Sequence, residues 1–429
     1  MVTKLVRMAG AVNRRVTFKL YPSRAQLVAL ERLHDLHRML YNAALEERIE
    51  AWRRKDPLTG IGTSISFADQ CTSLTTIRQQ DPAFLAVNAQ SAQVTLKRLA
   101  LAFRAFFRRC KAGETPGFPR FKARDRFPGF GFKTHGDGFR FTPCSGWRHG
   151  KLRLSGIGEI AARGEARTPG RVVCGDIQRK ADGWFLSVVV ECDPCREGGE
   201  RQAGLDWGIE TLATVAYAPG EYDQFDNDRP LAAEQDALKV EQRALSSALR
   251  GKRSKRAAKM KRAMAVRHRR IANRRKDRNH QITARLVRDH KLIVTEELTV
   301  TNMTASAKGT VETPGTNVKA KAGLNRAILD ATPGSFLNML ASKAEEAGCE
   351  LIILNTRKKR PSQTCPSCGV VRKKALAERR HQCGCGLIAT RDQAAALAML
   401  VAGLRLSGRE PTWVRASGPE TVHQSRSAA

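Results

Sequence analysis

The period of the apolar positions changes several times along the chain, and each change predicts a different kind of element. Residues 14–21 (RRVTFKLY) alternate as a strand does and stop at Pro22. Pro22 and Ser23 then open a helix in which Leu27, Leu30, Leu33, Leu36, Leu40 and Leu45 fall at helical spacing. Its polar face carries Arg24, Arg32, Arg38, Arg48, Arg53 and Arg54. A second amphipathic helix is predicted over about 88–110, with Phe103, Phe106 and Phe107 expected in its core, so the two helices form a small helical lobe. From Thr115 to about Asp193 the texture is different. PGFPRFK, FPGFGFK and GFRFTP are punctuated by Gly and Pro, and KLRLSGIGEI, RVVCGDIQRK and WFLSVVVE follow as short alternating runs. Strand signals at such regular spacing predict a small antiparallel barrel with most of those rings inside it.

After a linker at 193–203 the pattern becomes that of a mixed α/β unit. GLDWGIETLATVAYA (204–218) reads as an apolar strand, a tight turn at Gly208 and a second strand. An acidic loop at 219–230 leads into a long helical segment over about 231–289. KLIVTEELTV (291–300) is a strand ending in Glu296 and Glu297. The stretch 304–323 has no periodicity and is expected to be a mobile loop. A helix (PGSFLNMLASKAEEAG), a strand (CELIILN) and a final helix containing AAALAML complete the order. The residues from 407 to 429 are Ser-, Gly- and Arg-rich and are expected to be disordered.

Charge narrows the partners. The 429 residues hold 75 Lys and Arg against 41 Asp and Glu, a formal +34. Such an excess repels itself unless a polyanion is present, which points to nucleic acid. An anionic membrane surface is the competing partner, but no apolar run has the length of a span and no signal peptide precedes residue 20. Between Arg250 and Arg278 fifteen basic residues face one acid, Asp277. On a helix, a block that dense is expected to lie against phosphates, through Arg253, Lys255, Arg256, Arg262, Arg267, Arg269, Arg270, Arg274 and Arg275. Arg120 and Lys122 in the aromatic stretch join this set. Gln90, Gln93 and Lys97 on the second helix are candidates for contact with a duplex.

Four of the eleven cysteines form two knuckles, Cys365-x-x-Cys368 and Cys383-x-Cys385, separated by a short basic insertion. Two thiolate pairs of this kind can close a tetrahedron round Zn²⁺ in a structural ribbon. Cys192 and Cys195 repeat the first spacing without a second pair nearby and are read as a coincidence within a loop. The scattered remainder suits a reducing cytoplasm.

Three acids interrupt apolar surroundings: Asp206 within a strand, Glu296 at the end of another, and Asp392 at the start of the last helix. A buried carboxylate is costly unless it is partnered or holds a cation. Asp392 has the further alternative of capping its own helix. The order of elements is that of an RNase H-like fold, in which such acids converge on two Mg²⁺ ions about 4 Å apart and hydrolyse phosphodiesters. Glu297 is the fallback if the strand register shifts by one, because neighbouring side chains point to opposite faces.

These segments resemble the TnpB family of transposon-encoded RNA-guided nucleases, whose RuvC-like domain and zinc ribbon are shared with compact type V CRISPR effectors. GLDWGIETLAT resembles the family's first nuclease motif, IVTEELTVTNM its second, and CPSCG…CGCG…TRDQAAALAML its ribbon and third. FKLYPSRAQL, the RxxYNxAL pattern (Arg38, Tyr41, Asn42, Ala44, Leu45), FRAFFRRCKAGETPGFPRFK and the basic helix occur in the same order as in that family. The resemblance implies a wedge β-barrel over 1–22 and 113–198, with a helical recognition lobe inserted at 23–112. It also implies a RuvC-like domain over 199–360, a zinc ribbon at 361–388, a third-motif helix at 389–406 and a tail at 407–429.

Its implied function is an Mg²⁺-dependent RNA-guided endonuclease that cuts double-stranded DNA beside a short flanking motif. Asp206, Glu296 and Asp392 would be the catalytic acids and Mg²⁺ ligands. Cys365, Cys368, Cys383 and Cys385 would hold the zinc, and Arg391 would sit against the scissile phosphate. A guide RNA would be held by the barrel and basic helix, and both a monomer and a homodimer on one RNA satisfy the pattern. Such a protein is expected in the prokaryotic cytoplasm, associated with the nucleoid. The third motif departs from the family at Ala394, where Asn is usual, and at Thr390, where an acid is common. Neither change removes a carboxylate. A compact type V effector, a catalytically silent RNA-guided repressor and an RNase H-fold transposase are the rival readings.

Overall fold

The core side chains gather into two separate units, one of residues 10–193 and the other of the remainder. The architecture is that of a computed structural model, which describes residues 3–5, 10–55, 57–250, 254–355, 360–375, 377–411 and 413–414. The expected contact Arg253 and the expected tail from 415 onward lie outside the described residues.

After a first strand, β1 (Thr3–Leu5), which joins the other unit, the first unit opens with β2 (Val12–Tyr21). Helix α1 (Arg24–Arg53) starts where Ser23 Oγ accepts from Gln26 N (3.3 Å) and Gln26 Oε1 accepts from Ser23 N (3.0 Å), a reciprocal cap. Helices α2 (Phe67–Gln80) and α3 (Ala89–Lys111) complete the helical lobe. Leu36, Leu40 and Leu45 of α1 and Leu96 and Leu99 of α3 meet in one core. Strands β3 (Gly129–Phe132), β4 (Phe139–Pro143), β5 (His149–Leu154), β6 (Gly158–Arg163), β7 (Arg171–Lys180) and β8 (Gly183–Cys192) follow.

With β2 they form an antiparallel seven-stranded sheet in the order β3-β7-β8-β2-β6-β5-β4. The expected barrel is thus a curled, open sheet. Among the described residues no ladder joins β3 to β4, and the two edges meet through rings instead, Phe132 and Phe139 with centroids 5.1 Å apart. Phe18, Phe130, Phe139 and Phe141 are buried in its core, as expected of that aromatic stretch. The expectation for α3 holds for Phe103, which packs against the core of the helical lobe, and is corrected for Phe107, which is 56 % exposed; Phe103, Phe106 and Phe107 also cluster with Phe118. Arg48 of α1 lies over the Phe103 ring, 5.2 Å from its centroid.

The second unit holds a six-stranded mixed sheet in the order β1-β13-β12-β9-β10-β11. Its strands are β9 (Arg201–Trp207), β10 (Thr211–Ala218), β11 (Glu221–Asp226), β12 (His290–Glu296) and β13 (Glu350–Leu354), with β1 antiparallel to β13. Two expected boundaries change. Residues 3–5 belong here and not to the barrel, because β1 pairs the open edge of β13. The acidic stretch after residue 219 contains β11, which pairs β10 and so extends the hairpin.

The long helical segment divides into α4 (Pro230–Ala233), α5 (Gln235–Ala248) and α6 (Lys255–Asp289). After α7 (Val300–Met303), helix α8 (Val318–Ala331) begins inside the stretch expected to be a mobile loop, because it buries Ile328 and Ala331. Helix α9 (Pro333–Ala347) covers the same face of the sheet, with Phe336 and Leu340 packed in the core that Ile282 and Leu286 of α6 share. The hairpin β14 (Arg380–Gln382) and β15 (Ile388–Thr390) precedes α10 (Arg391–Leu406) on the opposite face. Trp413 packs against that helix's core, so the expected disordered tail does not start at 407. Among the described residues no helix is long and apolar enough to cross a membrane.

Helix α10 lies very close to the sheet because its inner positions are small. A Cβ at Gly204 of β9 would stand 1.7 Å from Ala396 O, and one at Gly403 would stand 2.4 Å from Val294 Cγ2. Gly204→Ala is therefore expected to cost about 3 kcal/mol, the upper range for overpacking a filled core. A urea unfolding curve of the purified variant checks this.

Candidate active site

Strand register brings the first two acids together. β9 and β12 are parallel neighbours with Thr295 opposite Leu205, a pairing reinforced by Thr295 Oγ1 donating to Leu205 O at 3.0 Å. The next residue on each strand is the acid, so Asp206 and Glu296 stand side by side at the carboxyl ends of parallel strands, with backbones about 5 Å apart. Open α/β sheets place their sites at such ends. Parity sets the face. Ala203, Leu205 and Ile293 point into the core under α6 and α9, whereas Gly204, Leu292 and Val294 meet α10. Asp206 and Glu296 share the α10 face, and Asp392 lies in the first turn of that helix.

The three carboxylates feel one another. Burial pushes the Asp206 carboxyl well above the usual range, the negative charges of Glu296 and Asp392 push it further, and Arg391 opposes them. Asp206 keeps some accessible surface, so the dense surroundings do not close it off from solvent. Asp392 is not spent as a cap. Thr390 Oγ1 accepts from Gln393 N (3.2 Å) while Gln393 Oε1 accepts from Thr390 N (3.1 Å). Thr390, the departure in the third motif, therefore caps the helix, and Ala394, the other departure, is buried. Glu297 turns away: it is exposed, and its Oε2 accepts from Asn355 Nδ2 at 3.4 Å. Arg391 donates its backbone N–H to Arg379 O (2.8 Å) and Nη1 to Ala375 O (2.9 Å), tying the ribbon to the helix.

The four cysteines converge. Cys365 and Cys385 Sγ lie 3.7 Å apart and Cys368 and Cys383 Sγ 3.5 Å apart. A Zn²⁺ tetrahedron with bonds of about 2.3 Å has edges of about 3.8 Å, so the set fits the ion despite its shortened second knuckle. Burial pushes the Cys365 thiol up to about 12, so a cation is needed for it to ionise at neutral pH. Among the described residues this is the one group of three or more acids, cysteines or histidines whose ligand atoms all lie within 4.8 Å. The three carboxylates therefore do not all lie within that distance of one another.

The basic candidates divide. Lys255, Arg256, Arg262, Arg270 and Arg274 are exposed along α6. Arg267 instead pairs with Glu241 at 2.7 Å and also with Glu234, which pins α5 to α6. Arg275 pairs at 2.6 Å with the buried Asp330, which also accepts from Leu231 N and caps α4. Nearby acids hold both guanidiniums in the free chain. Arg269 is half-buried. Arg120 is exposed, whereas the Lys122 backbone is held from both sides by the Asn42 amide, at 2.8 and 3.1 Å. Lys97 is exposed with its ammonium over the Phe67 ring, and Gln90 and Gln93 are half-buried.

Comparison with solved structures gives the class. A chain described as "Cryo-EM structure of the Cas12f1-sgRNA-target DNA complex" superposes with a TM-score of 0.58 over 91 % of this chain and 99 % of that one, at 11 % identity. The chain thus has the fold of a compact type V effector. Three family descriptions match in order: "Helix-turn-helix domain" at 8–56, "Probable transposase" at 185–307 and "Cas12f1-like, TNB domain" at 334–399. In the first of these spans the described residues form strand β2 and the single helix α1.

A "Putative RNA-guided DNA endonuclease" of Streptomyces pristinaespiralis is 30 % identical over 93 % of this chain and 92 % of its own. The "Putative RNA-guided DNA endonuclease InsQ" of Escherichia coli (strain K12) is 30 % identical over 85 % of this chain and 86 % of its own. The chain belongs to the TnpB family of transposon-associated RNA-guided DNA endonucleases.

Proposed function

We propose that this chain uses a guide RNA to select double-stranded DNA beside a short flanking motif and cuts both strands in one RuvC-like, RNase H-type centre. The observation that carries this reading is the adjacency of Asp206 and Glu296 on parallel strands, with Asp392 facing them from α10. Their hard oxygens suit Mg²⁺, which keeps several waters and takes the rest of its shell from the substrate phosphate. When bound there, Mg²⁺ supplies the Lewis acidity that makes a water nucleophilic and stabilises the leaving oxygen.

The protein's own part is electrostatic and positional. Without a cation, repulsion and burial favour the protonated Asp206 carboxyl, so cation binding releases that proton and weakens as pH falls. Thr390 and Gln393 fix the first turn of α10, leaving the Asp392 carboxylate uncommitted to capping. The Cys365, Cys368, Cys383 and Cys385 set would hold a structural Zn²⁺ that keeps the ribbon folded beside this turn. The exposed cations of α6 are assigned to the phosphates of guide or target.

The test compares Glu296→Gln with its neighbour Glu297→Gln, each purified with its co-expressed RNA. Glu296→Gln is expected to lose at least about 10²-fold in cutting rate while retaining RNA, and Glu297→Gln to stay within about threefold. Equal loss in both would remove the register from which the site is read. Strand-transfer products without any need for RNA would instead favour a transposase.

A further inference from the structure

The segment that follows α10 turns back along it. Gly408, at φ 68°, ends the helix: its N–H donates to Arg405 O at 3.1 Å, and Arg409 N donates to Leu404 O at 2.9 Å. Arg409 Nη2 then lies 3.5 Å from Glu350 Oε2 on β13, and Glu410 Oε1 accepts from Arg405 Nε at 2.8 Å. A few residues on, Trp413 packs against Ala216 of β10 and against Ala396 and Leu397 of α10. Ala396 lies one turn from Asp392 on the same side of that helix.

Near Asp392, α10 has little bulk of its own. Ala394, Ala395, Ala396 and Ala398 are buried, whereas Met399, Leu400 and Leu404 interlock further along with Leu292, Val294, Ile352 and Leu354. Small residues let the backbone approach the sheet, at Gly204 of β9 and at Gly403 over Val294 of β12. Both contacts lie beneath the helix on adjacent strands, so they hold it down without bracing its sides. On the β13 flank a cleft of about 310 Å³, lined by Leu354, Pro361, Cys365, Met399, Ala402 and Leu406, leaves room for a roll. On the β10 flank the Trp413 indole is the largest side chain of the packed set. Ala216 stands opposite Gly204, two residues before Asp206, so the indole braces the helix close to the level of the acids.

We infer that Trp413 is a positioning residue for DNA cleavage: set between β10 and α10, it fixes the roll of that helix and so the place of the Asp392 carboxylate opposite Asp206 and Glu296. The inference rests on the nuclease centre proposed above and adds to it a residue that acts through Asp392 alone. A side-chain tip stands about 5–6 Å from a helix axis, so a roll of about 10° moves it by about 1 Å. Misplacement of that size costs up to about 10²-fold in rate. The cap at Thr390 fixes where the helix starts, and the Trp413 brace fixes how it lies.

Trp413→Ala and Trp413→Phe are compared with the unaltered chain, each purified with its co-expressed RNA. Cleavage of guide-matched DNA is followed in single turnover with protein in excess, over a range of Mg²⁺. Trp413→Ala is expected to lose about 10- to 10²-fold in maximal rate, while RNA content and the protein concentration at half-maximal rate change by less than about twofold. The Mg²⁺ concentration at the midpoint of the Mg²⁺-dependent rise in melting temperature should increase about tenfold, a readout that needs no cleavage. Trp413→Phe keeps a ring against the helix and should stay within about threefold of the unaltered chain on both measures. Gly408→Val reaches the same segment from outside the packed core, since a β-branched residue is strained at that φ. It should move both measures in the direction of Trp413→Ala.

A ring that only stabilises the fold would lower the melting temperature of Trp413→Ala and leave its maximal rate and Mg²⁺ midpoint unchanged below that temperature. That result would overturn the inference and leave the nuclease centre intact. Loss confined to RNA or DNA binding, or a Trp413→Phe as impaired as Trp413→Ala, would overturn it too. Should Trp413→Ala not fold, a normal rate and midpoint in Gly408→Val would do the same. An unaltered chain that carries its RNA and shows no Mg²⁺-dependent cleavage would remove the proposed centre and the inference together.

Discussion

Asp206→Ala is expected to abolish DNA cleavage, with a loss of at least about 10³-fold, because on the proposed reading the site would lose a metal ligand and with it several kcal/mol of transition-state stabilisation. RNA binding should be retained, since Asp206 lies among the acids and not among the exposed cations. Asp206→Asn adds a second readout. The folded carboxyl titrates well above its ordinary value, so the folded state binds more protons than the unfolded chain from the ordinary carboxylate range upward. In metal-free protein the stability therefore falls as pH rises through that window. Asparagine cannot ionise, so the variant should be the more stable of the two at neutral pH without Mg²⁺, by a few degrees. It should also lose the stabilisation that Mg²⁺ gives the unaltered chain. A melting curve at several pH values with and without Mg²⁺ measures this. A variant that is less stable at neutral pH would mean that Asp206 is held by a partner other than a cation.

The second large effect is expected from the ribbon. Cys383→Ser removes one corner of the sulfur tetrahedron, and structural zinc sites contribute about 10–16 kcal/mol of apparent binding energy in small peptides. The variant should contain less than one zinc per chain by elemental analysis. Cleavage should fall sharply although every carboxylate is present, because β15 passes into α10 at Thr390 and Arg391 is bonded to the ribbon through Arg379 and Ala375. Guide RNA retention should stay within about threefold, because the cysteines lie apart from the cations assigned to phosphate. Full cleavage by a zinc-free variant would show that α10 is held by the sheet alone.

Much of this was legible in the chain because the informative residues break a pattern. An acid in apolar surroundings is visible without a structure, and Asp206 and Glu296 on strands and Asp392 at the start of a helix each have that character. What periodicity could not settle was which of Glu296 and Glu297 faces the helix. The pairing of Thr295 with Leu205 decides it. Helix α2 escaped notice because its apolar stripe is thin, with Leu74 its buried apolar residue. The Ser66-x-x-Asp69 cap was the available signal, Ser66 N donating to Asp69 Oδ2 at 2.7 Å. Fifteen cations in one run looked like one surface. Only tertiary structure shows that Arg267 and Arg275 answer acids on α5 and α8, because such pairs form between segments far apart in sequence. Phe107 of α3 misled for a related reason. Amphipathic spacing tells that a face is apolar, but not whether another element reaches it.

The union of ribbon and last helix at a single residue has a consequence for how the chain can vary. Thr390 closes the ribbon's hairpin, opposite Arg380, and is at the same time the cap of α10. A helix turns about 100° for each residue. One residue inserted between Thr390 and Asp392 would swing the carboxylate to another side of the barrel of backbone, and one deleted would swing it the opposite way. The connection therefore works as a phase lock. Length changes are excluded at the junction, where they alter an angle.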